Sequence, residues 1–246
     1  MRIIAALLLL LAGAVRAVAA DGAALNGLGY SPDGRYFAFE QYGVQDGSGF
    51  PYWDIFLVDL QSNEWVKGSP WRVLLQDEQA KLSSARDKAR AAAAPALAEK
   101  SVTEPAQLLA AMPATEVAAD RQRLSFDRWY RPMGATPASP SNFTQRHELA
   151  LAPKPLPAAA NCLADDQTFG FTLTLKDVQS GAIRTLAEDT AIPASRNCPL
   201  AYDLAAVYAP AAYQATGRLV AIIGVYSRGF EGADHRFIAV PFSLGE

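Results

Sequence analysis

The run Tyr30-Ser31-Pro32-Asp33-Gly34-Arg35-Tyr36-Phe37-Ala38-Phe39-Glu40, with Asp54-Ile55-Phe56-Leu57-Val58-Asp59-Leu60 after it, constrains this chain more than any other feature. Pro presets φ, Asp hydrogen-bonds its own backbone, and Gly accepts a left-handed conformation, so Pro-Asp-Gly is turn chemistry. Aromatic and β-branched residues alternate on either side of a long polar loop, Gln41 to Trp53, and period-two alternation gives a strand one buried face. Two antiparallel strands and a loop are the expectation, and the chain that holds them must be rich in β structure.

Three parts follow along the chain. Strand signals fill Leu25 to about Leu75. From Gln76 to about Asp120 the composition turns to Ala, Lys, Arg and Glu, which predicts an α-helical insertion lying on the β domain. Its first helix opens at Asp77-Glu78-Gln79-Ala80-Lys81-Leu82 and is expected to break at Pro95. Leu82 and Leu97 are its few large apolar residues, so it reads as mostly solvated. A second short helix is expected from Thr103 as cap, through Pro105 and Leu108-Leu109, to a stop near Pro113. From Arg121 strands return. Pro153, Pro155 and Pro157 are expected to force an extended, unpaired connection after Leu151.

A weak internal repeat gives the strands a blade-like look. Asp33-Gly34-Arg35-Tyr36-Phe37-Ala38-Phe39 recurs in outline as Thr216-Gly217-Arg218-Leu219-Val220-Ala221-Ile222, and each is followed by a Gly-rich loop and another strand. About ten strands are counted, too few for a closed propeller. The expected fold is mainly β, with antiparallel blade-like sheets arranged as a sandwich or partial propeller.

Residues 1–20 read as an export leader: Arg2, an apolar run from Ile3 to Val15, then small residues with cleavage near Ala19-Ala20 or Ala20-Asp21. The run is too short to span a membrane, and no later segment is apolar enough to do so. Residues 21–246 then form a single periplasmic or secreted β-rich domain. Removing Arg2 and Arg16 takes the formal net charge from −3 to −5, which leaves no basic footprint for nucleic acid. In an oxidising compartment the two cysteines, Cys162 and Cys198, favour a disulfide. Closing that loop stabilises by about 3–4 kcal/mol in the chain-entropy model.

The turn Ser31 to Gly34 and its flanking strands resemble the repeat of periplasmic translocation-protein propellers. The longer run Gly29 to Asp59, including Glu40-Gln41-Tyr42-Gly43-Val44-Gln45-Asp46-Gly47-Ser48-Gly49-Phe50-Pro51-Tyr52, resembles an uncharacterised family of predicted secreted bacterial proteins, a domain of unknown function. The resemblance covers most of the mature chain, strongest over 27–70 and fainter over 160–245. It implies export and a single domain, and it carries no catalytic residues.

Catalytic signatures are thin. His147 and His235 are the only histidines, and neither lies at metal-ligand spacing, so no metal or cofactor is expected. Asp165-Asp166 and Asp46-Gly47-Ser48 lack the calcium-loop pattern. Glu40 with Asp54 or Asp59 is the carboxylate pairing that a glycosidase would need. Asn142-Phe143-Thr144 matches a glycosylation acceptor. The remaining candidate is the aromatic loop, with Tyr42, Asp46, Phe50, Tyr52 and Trp53 as binding residues. A second Gly-rich loop, Tyr226 to Gly232, holds the equivalent place in the repeat, and a shared binding face is expected if the two meet. The function these features favour is a non-enzymatic exported domain that binds another envelope component, a protein or a glycan, through its loops. The alternative is an exported hydrolase acting on cell-wall or carbohydrate substrates.

Overall fold

The computed structural model describes residues 20–113, 115–130, 143–158, 162–163, 165–210 and 218–244. The expected leader (apart from Ala20), Asn142, and the Thr216-Gly217 turn of the repeat lie outside these residues.

Three antiparallel sheets, one α-helix and a short 3-10 turn at Ala194–Arg196 make up the described fold. The first sheet holds β1 (Ala24–Tyr30), β2 (Tyr36–Val44), β3 (Pro51–Asp59), β4 (Glu64–Trp65) and β5 (Trp71–Leu74), with β4 and β5 both pairing β3. Helix α1 (Leu82–Glu99) follows. The second sheet is built from β7 (Arg123–Tyr130), β8 (Phe143–Pro155), β9 (Phe169–Asp177) and β10 (Ile183–Glu188) in chain order. The third runs β13 (Ala233–Phe242), β12 (Leu219–Arg228), β11 (Pro199–Pro210), β6 (Ala106–Ala111).

Turn chemistry sets the first hairpin. Gly34, at φ 67°, donates its N–H to the Ser31 carbonyl, and Asp33 Oδ1 accepts the Arg35 N–H at 3.0 Å. The pairing of β2 with β3 then runs unbroken from Tyr36↔Asp59 to Val44↔Pro51. The β12–β13 hairpin is equally regular, from Leu219↔Phe242 to Arg228↔Ala233.

The layers stack as α1, first sheet, third sheet, second sheet, a sandwich-like arrangement with no closed barrel among the described residues. Phe37, Phe39 and Phe56 on the inner face of the first sheet meet Tyr208, Val220 and Ile222 of the third. The opposite face of the third sheet, with Leu204, Ala221 and Ile223, meets Leu149, Phe171 and Leu173 of the second. The first sheet is thus covered on both faces, which is why Pro51 through Val58 are all buried and read as a nearly continuous apolar run.

Three local expectations are corrected. Helix α1 continues through Pro95 to Glu99. Pro95 and Ala91, whose carbonyl loses its partner, are both exposed, so water can take the bond. As expected, the helix is mostly solvated; its buried side is Ala85, Ala89 and Ala93, packed against Trp53 and Ile55, because an i, i+4, i+8 stripe of methyl groups lets the helix approach the sheet closely. The segment expected as a second helix is strand β6, paired to β11 from Pro210↔Ala106 to Ala206↔Ala111. Thr103 caps nothing; its N–H and that of Glu104 donate to the Tyr30 carbonyl. An open strand edge outweighed a weak helix propensity.

Pro153 and Pro155 are also paired, opposite Phe171 and Phe169 of β9. The Leu151 N–H points to the β7 side, where it reaches the Gln122 carbonyl. With a two-residue period, the ring nitrogens of Pro153 and Pro155 face the same side beyond the end of β7, where no ladder bond is lost.

Candidate functional site

The β2–β3 loop closes on itself. Gln45 N–H donates to the Phe50 carbonyl at 2.9 Å, Gly49 N–H to the Gln45 carbonyl at 3.0 Å, and Ser48 Oγ to Gln45 Oε1 at 3.0 Å. The second Gly-rich loop is pinched by a bond from Gly229 N–H to the Gly232 carbonyl at 2.8 Å. The two loops meet. Phe230 rests on Gly47, where an added Cβ would come within 2.8 Å of its ring and where φ is +80°, so both space and backbone call for glycine. Even so, Phe230 is 77% exposed.

The five sequence candidates divide among three environments. Asp46 and Phe50 are half-buried in the loop. Tyr42 and Trp53 lie on the outer face of the first sheet, stacked at 3.9 Å and 4°, with Trp53 only 6% exposed in the cluster beneath α1. Tyr52 lies on the opposite face. Its hydroxyl donates to Asp21 Oδ1 at 2.9 Å, and the Arg236 guanidinium sits 4.4 Å from its ring centre. Burial, the largest influence, raises the Tyr52 hydroxyl above its ordinary pKa. The acids paired in the sequence are separated too. Glu40 faces outward to Arg90, whereas Asp54 faces inward to Gln41, so the two cannot flank one bond.

Polar groups that the sequence does not mark gather close by. Asp203, only 2% exposed, accepts from Arg121 Nε at 2.9 Å and the Tyr226 hydroxyl at 2.8 Å, and lies 3.3 Å from His235 Nε2. Burial pushes its carboxyl pKa up, but these partners outweigh it and the net shift is downward. Gly224 makes the pairing feasible, since a Cβ there would fall within about 2.1 Å of both Asp203 and His235. Asp234 titrates above the ordinary carboxylate range, chiefly through burial, with Asp21 and Asp46 adding to the shift. No group of three or more His, Cys, Asp or Glu suited to a metal ion occurs among the described residues.

Below the loops a cleft of about 360 Å³ opens between β3, β5 and β13, lined among others by Gln41, Tyr52, Asp54, Trp65, Arg72 and Arg236. Asp54 is its one carboxylate among the lining residues, and burial raises that group's pKa. The turn at 195–197 forms the far wall and leads into Cys198, which is bonded to Cys162 with Cα atoms 5.6 Å apart.

No curated protein and no solved structure matches the chain. No helix among the described residues is long and apolar enough to cross a membrane. The family described as "predicted secreted protein (DUF2259)", a domain of unknown function, matches residues 38–243, and the chain belongs to that family.

Proposed function

We propose that this protein is an exported, periplasmic or secreted, non-enzymatic domain that binds a protein of the cell envelope through Asp46, Phe50 and Phe230 where the two loops meet. The observation that carries the reading is the contact of Phe230 with Gly47: two loops from different sheets build one surface and leave a large aromatic ring in water. Aromatic anchors at the centre of such a surface are the side chains that most often dominate binding energy. Tyr42, Tyr52 and Trp53 support the loop from below, as rigid scaffold elements commonly do for binding loops.

The test is crosslinking capture from an envelope extract with the natively exported protein, compared with Phe50→Ala plus Phe230→Ala. The reading expects a discrete partner lost in the double variant while circular dichroism stays unchanged. Equal capture by both proteins would refute it.

A further inference from the structure

We propose that the groove along β13, centred on Trp65, binds a neutral oligosaccharide, at a site that includes neither Phe50 nor Phe230. The 360 Å³ cleft continues into a second of about 300 Å³, and Trp65, Ser195, Arg196 and Ile238 line both. Trp65 therefore stands at the junction of one elongated groove, and it is 41% exposed although it touches Phe56 from the side, with ring centres 5.8 Å apart. An exposed indole in a groove offers an apolar face to the C–H face of a sugar ring.

The polar groups beside it suit hydroxyls rather than ions. Asp54 and Arg72 are directly cross-strand on β3 and β5, yet they form no contact ion pair. Asp54 is 9% exposed and its Oδ2 accepts from Gln41 Nε2 at 3.0 Å, while its Oδ1 accepts nothing among the described residues. A carboxylate oxygen and a guanidinium side by side can accept from and donate to neighbouring hydroxyls, and their charges cancel toward a charged ligand. The other two arginines are engaged, Arg236 with Asp21 and Arg196 with Asp189, and Glu64 adds one exposed carboxylate at the far end. No excess of cation is left to draw an anionic polymer.

An extended peptide is the competing occupant, and the strand edge argues against it. Strand addition needs a row of free backbone groups. On the open edge of β13 the His235 N–H is bonded to the Asp21 carbonyl and the Phe237 N–H to Gln41 Oε1. Pro241, in the same alternation, has no N–H to offer. The volume lies within the range of small-ligand sites.

The test titrates the exported protein with linear neutral hexasaccharides of glucose and of N-acetylglucosamine, and separately with a pool of extended hexapeptides, by calorimetry. Binding of at least one sugar is expected, weakened about tenfold or more by Trp65→Ala and by Asp54→Asn, and unchanged by Phe50→Ala plus Phe230→Ala. Trp65 is exposed on a two-residue strand and Asp54→Asn is isosteric, so both variants should fold, checked by circular dichroism. Absence of sugar binding at millimolar concentration, binding indifferent to Trp65→Ala, or binding of peptide alone would each overturn the proposal. None of those outcomes bears on capture by the loops.

Discussion

The indole N–H of Trp53 donates to Oε2 of Glu40 at 2.9 Å, and both side chains lie buried under helix α1. Glu40 also accepts from Asn26 Nδ2 at 3.0 Å and from Arg90 Nη2 at 2.9 Å, so one carboxylate ties β1, β2, β3 and the helix together. Replacing it by an apolar side chain leaves the buried Trp53 indole N–H beneath the helix without an acceptor, whereas exposed Asn26 can turn to water. Glu40→Leu should therefore cost about 2–4 kcal/mol in urea unfolding, with an unchanged m-value. Arg90→Ala should cost about 1 kcal/mol or less, because its side chain is 48% exposed. Equal losses would mean that charge pairing, rather than donor satisfaction, holds the helix.

The alanine stripe of α1 gives a second expectation. Ala89 is fully buried and Ala92 is exposed. Ala89→Leu should destabilise by about 1–3 kcal/mol by overpacking the Trp53 contact. Ala92→Leu should stay within about 0.5 kcal/mol. Near-ultraviolet circular dichroism should change in the first variant alone.

His147 should make stability depend on pH. It is 1% exposed, lies against Phe126, and neither ring nitrogen has a partner among the described residues. Burial is the largest cause lowering its pKa below 6.5; Arg128 and Arg184 act the same way, while Asp177 and Asp127 oppose them. The folded state thus disfavours the charged ring. Its contribution is full above pH 6.5, where folded and unfolded forms are both neutral. It falls as the unfolded chain takes up a proton below pH 6.5, and levels off below the folded pKa. The slope should approach about 1.4 kcal/mol per pH unit at most. Urea unfolding across mildly acidic pH should show His147→Leu lacking this limb; parallel curves would exclude His147 as its source.

Opening the Cys162–Cys198 bond should act on stability and on the groove together. The bond spans 36 residues, so Cys162→Ser plus Cys198→Ser should lower stability by about 3–4 kcal/mol through the unfolded chain. Because Cys198 follows the 195–197 wall, hydrogen exchange at Ser195 to Asn197 should rise more than exchange in β2 or β3. Uniform acceleration would show that the bond stabilises without shaping the groove.

The hairpins were legible because their causes are local. Ser31 to Gly34 encodes its turn, and alternation from Tyr36 onward encodes one buried face. Helix α1 was legible as a helix from its alanines, but not its docking, because only the position of Trp53 and Ile55 makes methyl groups at 85, 89 and 93 into an interface. The fate of residues 103–113 was hidden for the same reason: the edge of β11 that captures them lies about a hundred residues away in sequence.

The candidate site divides similarly. Aromatic residues at 42, 50, 52 and 53 mark a loop region in sequence, yet Trp53 and Tyr52 are adjacent and must therefore point to opposite faces of a strand. Trp65, Asp54 and Arg72 carry no motif, and they become one groove only when β13 is laid across the first sheet.

By itself the sequence determined a β-rich chain, its tight turns, one helix and a pair of cysteines suited to bonding, because turn preference, alternation and residue chemistry act over a few neighbours. Only the tertiary structure decided which faces are covered, which strand edge captures a weak helix former, and which polar groups share a cleft. Burial and strand pairing between distant segments are worth more than local propensity, and a linear chain does not display them.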